Sequence, residues 1–443
     1  MQHTFGVPCV NLFETVKQGR VSMKKHMVVI GGGITGVTSA YTLIQQGFDV
    51  TLIEKNRYPG METSYANGGQ LSASNAEVWT HPSTIIKGLK WMLKSDAPLL
   101  MNPTPTWHKL SWMAEFMTAM TKYKDNTIAT AKLAIESREH HFAWAKAEGI
   151  EFDHKREGIL HFYRDKKGFD HAGQVSKLLA QGGLPRRAVT PEEIKVIEPT
   201  LQGNYYGGYF TESDSTGDIH KFTYGLAKAC ERLGVKILNE HEVLSVAANG
   251  QSAFVQVKHA GETDSLTFDG IVICAGVHGR RLAAQLGDRL NIYPVKGYSI
   301  TVNLPDGASQ AAAPQVSLLD DETKLVTSRL GVDRFRVAGT AEFNGINLDI
   351  RADRIQPLIQ WVNQCFPGID TRKVIPWAGL RPMMPNMLPR VGVGKKANVF
   401  YNTGHGHLGW TLSAITAHQL AGHVMAWSQE QSGISELALA HQE

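Results

Sequence analysis

An apolar, β-branched run around Val28, Val29 and Ile30 opens the ordered pattern of the chain, and a second apolar run covers residues 48–53. Between them lie a glycine turn and a stretch that predicts a helix, so residues 26–55 read as strand, turn, helix and strand. A longer amphipathic helix is predicted over 127–148, stopping at Gly149. Strands are predicted over 157–163 and 205–211. Asp218 is placed to cap a helix running to about Leu233, where Gly234 ends it. Further strands follow over 235–238, 242–257 and 266–274, with the apolar stretch 269–276 closing in a small-residue turn. Residues 293–304, 324–327 and 335–339 alternate as antiparallel strands do. Residues 352–365 read as a helix and 373–385 as a return toward the first unit. A last strand over 397–401 precedes a final helix over 409–427. The small, polar residues 63–74 form a loop. Residues 83–123 form two helical pieces broken by Pro98, Pro103 and Pro105, and they carry Trp91, Trp107, Trp112, Lys87, Lys90, Lys94 and Lys109.

This alternation predicts an α/β protein: a Rossmann-like dinucleotide domain with a second α+β substrate domain built on an antiparallel sheet. Both are discontinuous. The first takes residues 24–80, 200–290 and 375–428; the second takes 81–199 and 291–374. Residues 1–22, polar and without the apolar core of a signal peptide, read as an extension, and 429–443 as a tail.

The turn carries candidate chemistry. Gly31, Gly33 and Gly36 stand in G-x-G-x-x-G spacing. Gly31 allows the tight turn, Gly33 lets a pyrophosphate approach the backbone, and Gly36 lets helix and strand pack closely. The helix N-terminus, with Ile34 and Thr35, offers N–H groups to phosphate. Glu54 ends the second strand 18 residues after Gly36, followed by Lys55. A carboxylate there accepts from ribose hydroxyls and repels a 2′-phosphate, which favours FAD or NAD over NADP and leaves the two open. Near the far end, Gly404, Gly406 and Gly409 fall within six residues, and their loop can approach a flat ring. The helix that follows points its positive end there, where a reduced flavin carries negative charge. His405 and His407 form an H-x-H pair, but no third ligand is near in sequence, so no metal is expected. Arg381 supplies a planar, permanent charge suited to a carboxylate. Tyr298 is a second candidate to hydrogen-bond that carboxylate.

Composition narrows the class. The 443 residues are 42% apolar and 19% charged, enough for two to three domains' worth of chain, and the net charge of +4 is too mild to argue for nucleic acid. Cys9, Cys230, Cys274 and Cys365 are scattered, which argues against disulfides or zinc and fits a reducing compartment. No apolar run is long enough for a transmembrane helix.

The segments GGGITG, ETSYANGGQLSAS, IKGLKWML, STGD, PVKGYS, WAGLRPMMP and NTGHGHLGW stand in order between about residues 26 and 425. Together they resemble the FAD-dependent D-amino acid dehydrogenase (small subunit) family, within the D-amino acid oxidase/glycine oxidase superfamily. The resemblance implies non-covalent FAD and adds Ser64, Ala66, Asn67, Gly68, Val243, Ala275, Gly276, His407, Leu408 and Trp410 to its contacts. It makes Arg381, Tyr298 and His405 the catalytic candidates. It implies oxidation of a D-amino acid by hydride transfer to flavin N5, then imine hydrolysis to a 2-oxo acid and ammonia, with electrons passed to a quinone or respiratory acceptor. An oxygen-using oxidase, an L-amino acid deaminase, a hydroxyproline dehydrogenase and a non-catalytic flavoprotein are the alternatives. One departure stands out: Pro385-Asn-Met-Leu-Pro389 replaces the family's P-D-G-x-P. The implied location is cytoplasmic, peripheral on the inner face of the membrane, with the Trp/Lys-rich 83–123 segment meeting the lipid surface. No oligomeric state is implied.

Overall fold

The computed structural model describes residues 24–82 and 98–440, with side chains given to Gln431. The apolar runs form the centre of a six-stranded sheet, ordered Arg390–Val393, Val399–Thr403, Gly270–Ile273, His26–Ile30, Asp49–Ile53 and Lys236–Leu238. All neighbours are parallel except the first pair. Such strands are buried on both sides, which is why they read as unbroken apolar runs. Met27 and Val29 face a core with the helices Ile34–Gln45, Ile219–Leu233 and Gly409–Ala440. Val28 and Ile30 face the opposite core, beneath a three-stranded meander and the short helix Gly279–Gln285.

That meander corrects one expectation. Residues 242–257 are two strands, Glu242–Ala248 and Ala253–His259, with Glu262–Phe268 as the third. Asn249 and Gly250 make the turn between the first two, and Gly250 has φ +96°.

The second sheet has nine strands. Its main path runs Val374–Met383, Tyr293–Asn303, Arg334–Phe343, Leu325–Leu330, Ser317–Asp320, Ile159–Tyr163, Gly207–Thr211 and Arg187–Val189, and Leu99–Met101 adds beside Arg334–Phe343. Helix Ala352–Cys365 packs on one face. Two segments expected in the dinucleotide domain belong to this sheet. Val374–Met383 pairs antiparallel with Tyr293–Asn303 along its length, and Gly207–Thr211 pairs with Ile159–Tyr163. Sheet membership follows backbone hydrogen bonding, and both segments spend theirs here.

The helix Ile219–Leu233 has the expected ends. Asp218 Oδ1 accepts from the amides of His220 and Lys221 at 2.9 and 3.2 Å, a cap worth about 1 kcal/mol, and Gly234 closes it with φ +101°. The final helix runs on to Ala440, through much of the stretch expected to be a tail. The Trp/Lys-rich segment divides. Trp91 and the lysines 87, 90 and 94 lie outside the described residues, as does the 1–22 extension. Trp112 is core: its Nε1 donates to the Met383 carbonyl at 2.8 Å. Lys109 is buried and donates to the Asn102 carbonyl at 2.5 Å. Trp107 is 87% exposed.

Candidate active site

The carboxyl ends of the central strands open into a cavity of about 540 Å³ that continues along the second sheet. Crevices at strand ends of open α/β sheets are where ligands bind. The glycine turn lines its head. A Cβ on Gly31 would lie 2.7 Å from the Cys274 carbonyl oxygen, and one on Gly36 would lie 1.7 Å from the Gly31 carbonyl oxygen, so both glycines are fixed by protein packing. Gly33 differs. A Cβ there would meet nothing nearer than Ser64 Oγ at 3.6 Å, so its bareness serves what enters the cavity. The helix begins at Ile34 with no side-chain cap at Gly33, and Ser64 Oγ accepts from the Ile34 amide at 3.0 Å. Gly33, Ile34 and Thr35 thus present a helix N-terminus to the cavity.

Glu54 is buried and orders the turn: Oε2 accepts from the Gly32 amide at 2.7 Å, and Oε1 from the Asn56 backbone and side-chain nitrogens at 2.8 and 2.6 Å. Burial pushes its pKa up, against those hydrogen bonds. Lys55 pairs with Glu62 at 2.5 Å on the rim. Asn67, Gly68, Val243, Ala275 and Gly276 line the same wall. Ala66 does not: it is buried behind it, and its carbonyl accepts from Ser299 Oγ at 2.7 Å.

The C-terminal loop closes the middle of the cavity with Gly404, His405, Gly406, His407, Leu408, Gly409 and Trp410. Gly404 and Gly406 have φ +76° and +60°, and a Cβ on either would run into Met384 or Met383. Packing against the neighbouring strand therefore requires these two, in addition to any approach by a flat ring. His405 Nε2 lies 3.0 Å from Thr416 Oγ1. His407 donates to the Asn75 carbonyl at 3.3 Å and stacks on Trp79 at 5.0 Å. The donor at Nε2 leaves Nδ1 as an acceptor. Among the described residues no group of three His, Cys, Asp or Glu is arranged to hold a metal ion.

Arg381 sits over this loop's neighbour strand. A Cβ on Gly297 would lie 2.4 Å from both terminal nitrogens, so Gly297 makes the seat for the guanidinium. Nη1 donates to the Thr340 carbonyl at 2.9 Å. Thr340 is β-branched with φ +57°, a strained backbone, and its buried Oγ1 has no hydrogen-bond partner among the described residues. No described carboxylate pairs with Arg381, and burial alone brings its pKa to about 10, leaving it charged at neutral pH. Neither Gly297 nor Thr340 was a candidate from sequence. Gly297 lay inside the PVKGYS segment, so a glycine in a strand was the available signal; Thr340 gave none.

Tyr298 is among the residues that line the cavity. Its hydroxyl donates to Glu342 Oε2 at 2.7 Å. Strand alternation explains it: Ser299 faces the 62–74 loop, whereas Tyr298, Ile300 and Val302 face the helix-covered core.

Burial holds several histidines neutral. It lowers the pKa of His405 to about 3, and of His407 and His141 to about 4, and it lowers His161 well below the ordinary value near 6.5. A histidine depressed in the folded state stabilises fully above its unfolded pKa, and that stability is lost as pH falls toward the folded value. Each should cost about 1.4 kcal/mol per pH unit below about 6.5. Glu54 and Asp214, whose pKa values burial raises, act in the opposite direction but are fewer. The expected result is a Tm that falls steadily from pH 7 to pH 5; a flat profile in scanning calorimetry would show that these rings are not held neutral.

The cradle at Gly33, the uncapped helix start and the C-terminal glycine loop fit a flavin dinucleotide. The sequence profile described as FAD dependent oxidoreductase matches residues 26–422. D-amino acid dehydrogenase 3 of Mesorhizobium japonicum is 59% identical over 395 residues, covering 89% of this chain and 96% of the relative. D-amino acid dehydrogenase of Dechloromonas aromatica is 39% identical over 404 residues, covering 89% and 96%. The crystal structure of glycine oxidase from Geobacillus kaustophilus superposes with a TM-score of 0.69 at 20% identity, covering 91% of this chain and 95% of that one. The glycine turn, the strand-end cavity and the C-terminal loop are thus those of a flavoenzyme, and the chain belongs to the family of FAD dependent oxidoreductases.

Proposed function

We propose that the chain oxidises D-amino acids and passes the electrons to a quinone or other respiratory acceptor. The observation that carries the substrate class is Arg381: a charged guanidinium lining the cavity, seated over Gly297, with no carboxylate partner among the described residues. A fork of this kind binds a carboxylate through two parallel hydrogen bonds. The two relatives above carry the D-amino acid dehydrogenase name. Bound non-covalently, FAD supplies the two-electron acceptor that takes hydride from Cα. Arg381 fixes the substrate carboxylate, and the cavity wall at Asn75, Val78 and Trp79 orients the remainder. His405 and His407 are neutral at pH 7, so neither adds a charge to the site. The imine leaves to water, giving 2-oxo acid and ammonia.

Anaerobic bleaching of the bound flavin by a panel of D- and L-amino acids tests this. D-amino acids should bleach it and their enantiomers should not; bleaching by L-enantiomers alone overturns the assignment. Acid precipitation should release the flavin. Low peroxide yield in air, with turnover restored by a soluble quinone, separates a dehydrogenase from the oxygen-using alternative.

The acceptor's side of the proposal rests on helix Trp107–Ala119. Trp107, Leu110 and Met117 are exposed at spacings of three and seven, which share a helix face. Among the described residues no helix is long and apolar enough to cross a membrane. A peripheral contact through this face would hold the protein at a membrane surface. Replacing these three residues by Ser should lower co-sedimentation with anionic vesicles at low salt several-fold. Equal pull-down of both proteins would remove this helix from the electron route.

A further inference from the structure

The cavity has a second polar end, which the reading above leaves unused. Glu77 lines it, with His81, His171, Asp321 and Lys324. Glu77 Oε1 accepts from the Tyr123 hydroxyl at 2.7 Å and lies 3.5 Å from His171 Nε2. No described residue hydrogen-bonds Oε2. The side chain keeps 32% exposure although protein encloses it, because the cavity reaches it. Enclosure works to raise its pKa, but the hydrogen bonds of His171 and Tyr123 outweigh that and hold the carboxyl below its ordinary value. The nearby Lys324 is paired with Asp321. The cavity therefore keeps an ionised carboxylate with one oxygen that no described residue occupies.

Glu77 shares its cavity with the carboxylate seat. Arg381 donates to the Thr340 carbonyl, and the Cβ position of the preceding Gly339 lies 2.8 Å from the Lys324 carbonyl oxygen. On the other wall, His407 feels the Arg381 charge and bonds the carbonyl of Asn75, two residues before Glu77. Arg381 and Glu77 open into one cavity, so a carboxylate held at Arg381 leaves the rest of an amino acid in the space that Glu77 also lines.

We infer that Glu77 ends the side-chain subsite and selects amino acids whose side chain ends in a positive charge, an ammonium or a guanidinium. The inference rests on Arg381 holding the substrate carboxylate. An ion pair in this partly desolvated end is worth more than one on the surface.

The test uses the FAD-loaded enzyme. Binding of 6-aminohexanoate and of hexanoate, which cannot be oxidised as amino acids, is measured by calorimetry, and flavin reduction by D-lysine is compared with D-norleucine. The charged member should be favoured about tenfold in both pairs, the effect of about 1.4 kcal/mol. Glu77→Gln should abolish that preference while leaving hexanoate binding and D-norleucine reduction within about twofold. Equal treatment of charged and apolar members by the wild type overturns the inference, and needs no variant that might fail to fold. So does a Glu77→Gln variant that weakens both members alike, since the carboxylate would then be structural. D-norleucine activity without a D-lysine advantage removes this subsite and leaves the dehydrogenase reading intact. If no D-amino acid reduces the flavin, that reading fails and takes the subsite with it.

Discussion

Arg381→Ala should lower kcat/KM for D-amino acids by about 10²- to 10³-fold while FAD content and Tm stay near wild type. Removing one partner of a desolvated, hydrogen-bonded charge pair costs about 2–5 kcal/mol. The fold loses little, because among the described residues the guanidinium makes a single hydrogen bond, the one to the Thr340 carbonyl. Arg381→Lys should recover only a small part, since an ammonium lacks the planar fork. Gly297→Ala gives an independent check. Its methyl group would lie 2.4 Å from both terminal nitrogens and must displace the guanidinium, so KM should rise by about tenfold or more with kcat less affected. Steady-state kinetics with an artificial acceptor reads both. A wild-type kcat/KM in Arg381→Ala would end its assignment.

The three glycines of the turn should fail in different ways. Gly33→Ala has room in the protein, so the fold and its Tm should survive while FAD content falls several-fold, the methyl group occupying space used by pyrophosphate. Gly36→Ala places a methyl group 1.7 Å from the Gly31 carbonyl oxygen, which no side-chain adjustment relieves. It should destabilise the protein itself by several kcal/mol, a clash between strand and helix within a close-packed core. Flavin absorbance per chain, set beside thermal denaturation, separates the two. A Gly33→Ala protein as unstable as Gly36→Ala would mean that the turn is shaped by packing throughout.

Much of this was legible in the sequence where local chemistry sets local structure. The β-branched run, the glycine triad, the Asp218 cap and the Gly149 and Gly234 stops each act within a few residues. Glu54 was read as a ribose ligand from its place at a strand end, but its hydrogen bonds to Gly32 and Asn56 depend on how two strand ends meet. The Glu342 partner of Tyr298 could not be foreseen, because composition does not give strand parity; the pairing with its neighbours does. Residues 242–257 looked like one strand because both arms of the hairpin are apolar, although Asn249-Gly250 was a turn signal in plain view. Glu77 was invisible as a site. Its partners Tyr123 and His171 come from helices Tyr123–Glu148 and Lys166–Gln181, and no local pattern joins them. Trp112 looked like a membrane anchor, yet its indole nitrogen finds a carbonyl inside the protein.

The order of strands in the six-stranded sheet has a consequence for biosynthesis. His26–Ile30 lies at its centre, but its neighbour Gly270–Ile273 and the next strand, Val399–Thr403, are made much later. The glycine turn at residues 31–36 and the loop at 404–410 are separated by nearly the whole chain. At 5–20 residues per second, the ribosome takes on the order of 20 to 70 s to pass from one to the other. Until the later strands and the final helix are made, the first strand and helix keep part of their apolar faces uncovered, a form in which nascent chains aggregate or recruit chaperones. The cofactor cannot hold the early half in place, because the loop that closes over it does not yet exist. The cofactor cradle is therefore complete only once the last strand of the sheet and the loop after it have been made.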